Sequence, residues 1–116
     1  NLLMKPSSRK AKGRYLQNIV RDRIIRLYPV LTKKDIRTSM ISENGADVKL
    51  LTHTARKLFP YSVECKNRRD FTTLFSYFAQ AKRHVELEPL LVVKMNRKKP
   101  LAIIDFEHLF ELLEQK

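Results

Sequence analysis

The residues best suited by type and spacing to do chemistry are Asp47, Glu64 and Lys66. Two converging carboxylates offer hard oxygen donors to a cation such as Mg²⁺. An ammonium beside them can steer a water or offset developing negative charge. Convergence depends on strand alternation. In the candidate strand Tyr61–Lys66, side chains of Tyr61, Val63 and Cys65 share one face, and those of Ser62, Glu64 and Lys66 the other. In the candidate strand Asp47–Leu51, Val48 and Leu50 share a face that Asp47 and Lys49 do not. If Val48, Leu50, Val63 and Cys65 line one apolar layer, then Asp47, Glu64 and Lys66 emerge together on the reverse side. A cation there would sit between the carboxylates and a phosphate, stabilising charge at the phosphorus and helping to deprotonate water. Taken alone, an acid and a lysine two apart on a strand are commonly a solvated or ion-paired face. The Gly45-x-Asp47 pattern on the preceding strand and the strongly basic chain shift the reading toward chemistry.

The chain has 116 residues, of which 24 are Lys or Arg and 12 Asp or Glu, for a formal net charge of +12. Its apolar fraction of 43% suffices for one modest core in a single domain. The charge is uneven. Residues 1–14 carry Lys5, Arg9, Lys10, Lys12 and Arg14 and no acid, whereas 101–116 carry Asp105, Glu107, Glu111 and Glu114 against Lys116. Such a field attracts phosphates and displaces their condensed counterions, which points to nucleic acid. An anionic membrane surface competes, but no segment reads as a basic amphipathic helix with aromatic anchors. Charge that serves solubility alone is the third possibility. No apolar run approaches the roughly 20 residues of a membrane span, and residues 1–12 lack the apolar stretch of a secretory signal. The lone cysteine can form no internal disulfide, and no CxxC pair offers a zinc site; a reducing cytoplasm is the expected compartment.

The elements that must position these residues follow from periodicity. Residues 1–12 read as a flexible basic tail and 13–116 as one domain. A helix from Gly13 carries the stripe Leu16, Ile19, Val20, Ile24 and Leu27 and stops before Pro29. Gln17 and Arg21 lie one turn apart on its flank, where they could face a site. Leu31–Ile41 reads as a turn and an edge strand, and Ser42–Gly45 as a turn. Residues 52–60 read as a long loop carrying Arg56 and Lys57 between the two middle strands. Asp70 caps a helix with the stripe Phe71, Leu74, Phe75 and Phe78, a core face or a core continuing into a dimer interface. Leu90–Val93 reads as a fully buried strand, Leu101–Ile104 as its return, and Asp105 as the cap of a last helix. The expected fold class is α/β, a mixed central sheet flanked by helices in the order α-β-β-β-α-β-β-α. His53, His84 and His108 lack metal-ligand spacing and read as surface residues.

The patterns Gly45-Ala46-Asp47 and Glu64-Cys65-Lys66 resemble the PD-(D/E)xK nuclease signature. Their surroundings resemble small Holliday junction resolvases of the archaeal and phage type. The likeness is carried by Gly13-Arg14-Tyr15-Leu16-Gln17, Arg37-Thr38-Ser39, the stretch from Ala55 to Lys66, and Pro89-Leu90-Leu91-Val92-Val93-Lys94. It covers roughly residues 13–110. It implies a restriction-endonuclease-like fold and a homodimeric, Mg²⁺- or Mn²⁺-dependent endonuclease that nicks branched double-stranded DNA, in the host cytoplasm if the source is a phage. Asp47 and Glu64 would be metal ligands with the Cys65 backbone carbonyl, and Lys66 the catalytic lysine. Gln17 stands where those proteins carry a first-helix acid, and Ala46 where the signature has Pro. Glu43 could supply the missing carboxylate or serve the turn. The DNA contacts expected are Lys5, Arg9, Lys10, Lys12, Arg14 and Arg21 from the first part of the chain. Arg37, Ser39, Arg56, Lys57 and Arg68 would follow, with Gln80 on the polar face of the Phe71 helix. A restriction or repair endonuclease of the same superfamily, and a basic DNA-binding module without catalysis, are the alternatives.

Overall fold

The computed structural model describes residues 9–82 and 87–116. Among them are four helices and two antiparallel two-stranded sheets, a mixed α/β composition. The chain divides into two compact units, Asn1–Arg68 and Arg69–Lys116.

In the first unit, helix α1 spans Arg9–Leu27. It begins before Gly13, because Arg9, Lys10, Ala11 and Lys12 are good helix formers and a single glycine weakens a helix without ending it. Its stripe is anchored by Val20 and Ile24, both buried. Strand β1 (Ile36–Thr38) pairs antiparallel with β2 (Val48–Leu50) in the register Ile36↔Leu50, Arg37↔Lys49, Thr38↔Val48. Helix α1 packs on both strands, and Ile24, Leu31, Ile36 and Val48 close the core between them. The β1–β2 connection turns through Gly45 at φ +96°, where Lys49 donates its ammonium to the Asn44 carbonyl.

Residues 52–60 are not a plain loop. Helix α2 spans His53–Leu58, capped by Thr52, whose Oγ1 accepts the Ala55 amide at 3.2 Å. The same hydroxyl donates to Asp35 Oδ1 at 2.7 Å. Asp35 Oδ2 takes the Thr32 amide at 2.9 Å and the Thr32 hydroxyl at 3.1 Å; the Thr32 amide first, and then the Thr52 hydroxyl, hold the Asp35 carboxyl below its ordinary range. Ala55 and Phe59, one turn apart, are the buried face of this element.

The expected strand Tyr61–Lys66 reduces to one bridge, Val48↔Val63, with the Asp47 amide donating to the Val63 carbonyl at 2.8 Å. Beyond it the Cys65 amide donates to a side chain, the Asp47 carboxylate, rather than to a backbone ladder. The element order is therefore α-β-β-α-α-β-β-α among the described residues. The alternation holds from Ser62 onward, with Val63 and Cys65 half-buried and Ser62, Glu64 and Lys66 exposed, but Tyr61, expected on the inner face, is itself exposed.

In the second unit, α3 (Thr72–Lys82) starts where Asp70 Oδ1 accepts the Thr72 amide at 2.9 Å. Phe71, Leu74 and Phe78 are half-buried, but Phe75 is 67% exposed, so the expected core stripe is open along one side. Strands β3 (Leu90–Val93) and β4 (Leu101–Ile104) form a hairpin in the register Leu90↔Ile104 to Val93↔Leu101. Strand β3 is not fully buried: Leu90 and Val92 are exposed, as expected of a two-stranded ribbon covered on one face. Helix α4 (Phe106–Glu114) is capped by Asp105, which accepts the Glu107 amide at 2.8 Å, and buries Phe110 and Leu113. No helix of the described residues is long and apolar enough to cross a membrane.

Candidate functional site

Asp47 sits at the entrance to β2, half-buried, and three hydrogen bonds fix it. Its carbonyl accepts the Ser39 amide at 2.9 Å, its amide donates to the Val63 carbonyl, and its Oδ2 accepts the Cys65 amide at 2.7 Å. The carboxylate therefore lies against the backbone between Glu64 and Lys66. Its other oxygen, Oδ1, accepts no hydrogen bond among the described residues. Glu64 and Lys66 are exposed and paired, Oε2 to Nζ, at 3.3 Å.

The Cys65 thiol reports on both acids. Burial raises its pKa first, and the negative charges of Asp47 and then Glu64 add to this, pushing it up to about 11. A thiol held protonated is a poor nucleophile and a poor metal ligand, which leaves Cys65 a packing role.

Helix α1 is fastened to the end of this segment and to the turn after β1. Asn67 Nδ2 donates to the Lys12 carbonyl at 3.1 Å, and Ser39 Oγ donates to Gln17 Oε1 at 3.4 Å. Gln17 and Ser39 line an open groove of about 610 Å³ together with Lys10, Arg14 and the turn after β1. Ser39 thereby links Gln17 to the Asp47 backbone, through its hydroxyl on one side and its amide on the other.

Glu43 does not supply a further carboxylate to this group. It takes Arg37 in a two-pronged pair, Nη1 to Oε1 at 2.9 Å and Nη2 to Oε2 at 2.8 Å, and accepts the Met40 amide at 2.8 Å. The Arg37 guanidinium, then the Met40 amide, pull the Glu43 pKa down to about 2. Arg37 donates also to the Thr38 carbonyl at 3.1 Å, so this expected DNA contact serves as a brace for the turn.

The other expected DNA contacts are dispersed. Lys10 and Arg14 are exposed on the groove, and Lys12 is half-buried. Arg21 pairs with its neighbour Asp22 at 2.9 Å. Arg56 reaches from α2 to the Leu50 carbonyl at 2.8 Å, and Lys57 and Arg68 are exposed. Gln80 is exposed on α3, within the second unit. Lys5 and the side chain of Arg9 lie outside the described residues, as does His84.

One group escaped the sequence reading. His108 Nδ1 lies 3.3 Å from Glu111 Oε1 and 3.9 Å from Glu88 Oε2. The i, i+3 spacing of His108 and Glu111 on α4 was the available signal; Glu88 joins them only through the fold. The set is largely exposed, and such acid–histidine groups are common on surfaces that hold no cation.

Two carboxylates and a neighbouring backbone carbonyl are hard oxygen donors, the set that Mg²⁺ or Mn²⁺ prefers, and no soft ligand competes while Cys65 stays protonated. Comparisons with protein-family models, curated proteins and solved structures return no match.

Proposed function

We propose that this protein is a divalent-metal-dependent endonuclease of branched duplex DNA, a Holliday junction resolvase of the PD-(D/E)xK type acting as a homodimer. The observation that carries the reading is the bond from the Cys65 amide to the Asp47 carboxylate. It sets one acid against the segment bearing Glu64 and Lys66, in a chain with a net charge of +12. Asp47 and Glu64 would hold Mg²⁺ or Mn²⁺ with the Cys65 carbonyl. When bound, the cation supplies positive charge to the scissile phosphate and lowers the pKa of water. Lys66, released from its pair with Glu64, offsets charge developing on the phosphate oxygens. Gln17, steadied by Ser39, can orient a water through its amide. Lys10 and Arg14 attract the backbone into the groove. A restriction-endonuclease-like fold and a cytoplasmic setting belong to the same reading.

The test is incubation of the protein with a four-way junction and with linear duplex, in Mg²⁺ or Mn²⁺. Paired nicks near the branch point are expected, reduced at least about a hundredfold in Asp47→Asn and Glu64→Gln, the scale lost with one preorganised electrostatic stabiliser. Equal cutting of linear duplex removes the junction selectivity and leaves a restriction- or repair-type nuclease.

A second reading, a DNA-binding module without catalysis, is favoured by neutral Gln17 in the place of an acid. It predicts binding to DNA with no saturable Mg²⁺ or Mn²⁺ uptake in calorimetry, with or without DNA present.

A further inference from the structure

The turn after β1 ends in two large apolar side chains that face solvent: Met40 is 67% and Ile41 70% exposed. Both line the groove that Lys10, Arg14, Gln17 and Ser39 share. Contiguous exposed apolar surface can mark a binding site, and here it lies in the same groove as Lys10 and Arg14. The tip is also braced. Glu43 clamps Arg37 with both oxygens and holds the Met40 amide, and the Glu43 amide returns to the Met40 carbonyl at 3.0 Å. Ser42 closes the turn at φ +64°, a left-handed conformation that a residue with a Cβ adopts at a steric cost. The residue before the tip, Ser39, is bonded through its amide to Asp47 and through its hydroxyl to Gln17. The apolar tip is thus tied, through Ser39, to the backbone of the candidate catalytic acid.

Proteins that distort a duplex combine these two features: cations hold the phosphates while an apolar wedge enters between bases and unstacks them. We propose that Met40 and Ile41 are such a wedge, entering the base stack of a DNA strand seated in the groove and opening the step beside the phosphate offered to Asp47. The inference rests on the reading of the protein as one that acts on DNA. It adds which residues meet bases rather than phosphates, and it favours sites where stacking is already weak, as at a branch point. The charge of Lys10 and Arg14 selects a polyanion over a second, equally basic copy of the chain as the occupant.

The experiment uses the full chain carrying Asp47→Asn, which retains an acceptor for the Cys65 amide, and a four-way junction with 2-aminopurine at the branch point. At saturating protein, emission rises severalfold as the base unstacks. With Met40→Ala and Ile41→Ala added, at least half of that rise is lost; with Met40→Leu and Ile41→Leu it is kept. An undiminished rise in the alanine variant overturns the wedge. So does the absence of any rise in the parent, or an alanine effect confined to a change of oligomeric state by sedimentation. Cutting is read separately, with the unsubstituted protein and Mg²⁺. A protein that unstacks the branch and never nicks it keeps the wedge and loses the nuclease reading.

Discussion

The carboxylate of Asp47 accepts the amide hydrogen of Cys65 at 2.7 Å, across a pairing otherwise held by a bridge at Val48 and Val63. One side chain thus does the work of a missing ladder bond with a single oxygen, Oδ2. Asp47→Asn preserves an acceptor and is expected to unfold in urea close to the parent. Asp47→Ala orphans a part-buried amide and costs about 1–3 kcal/mol. Equal stability of the two variants would show that the bond is not structural.

Cys65 gives a reading of the site that needs no DNA. Its thiol stands at about 11 because of burial and then the charges of Asp47 and Glu64. Neutralising either acid, in Asp47→Asn or Glu64→Gln, lowers that value toward the ordinary one and raises the thiolate fraction. Alkylation by iodoacetamide at mildly alkaline pH, in chelator, is expected to be severalfold faster in each variant. Unchanged rates would mean that the carboxylates do not reach the sulfur.

The Arg37–Glu43 clamp predicts an acid limb of stability. Glu43 has a folded pKa of about 2 against an ordinary 4.5, so its contribution is present in full above about 4.5 and is lost as pH falls through about 2. Glu43→Gln is expected to flatten stability against pH in that window and to leave the slope near neutrality unaltered. Chemical denaturation followed by circular dichroism at several acidic pH values measures this.

Gly45 at φ +96° is the one glycine of the chain in left-handed space. A Cβ there would come 2.7 Å from the Lys49 ammonium, which a flexible side chain can vacate, but the backbone conformation it cannot relieve. Gly45→Ala is expected to cost about 1–2 kcal/mol in urea unfolding, and Gly45→Ala with Lys49→Ala to recover little of it.

Much of the frame was legible from spacing alone. The stripe through Val20 and Ile24, the short strands at Ile36–Thr38 and Val48–Leu50, and the caps at Asp70 and Asp105 are local signals, and local physics realises them. Helix α2 escaped because six residues make no periodic stripe; only Thr52 as a cap and the Ala55–Phe59 spacing marked it. The strand expected over Tyr61–Lys66 shrank to one bridge because a side chain captured the Cys65 amide, a competition that composition does not reveal. The apolar run Leu90–Val93 suggested burial on both faces, yet one covered face suffices for a ribbon. At the site, alternation placed Glu64 and Lys66 correctly outward. The commitment of Arg37 and Glu43 to each other depends on the shape of a turn that no spacing rule encodes.

The hydroxyl of Thr52 gives with one hand and takes with the other: its proton goes to Asp35 and its lone pair receives the Ala55 amide. That relay makes the position amphoteric by necessity. Aspartate, among the residues most favoured at the start of a helix, would here bring a second carboxylate against the first with no proton to share. Thr52→Asp should therefore unfold more readily than Thr52→Ser, although the two residues are ordinarily about equal at the start of a helix, and the sequence drift open to this corner is confined to side chains that can donate and accept at once.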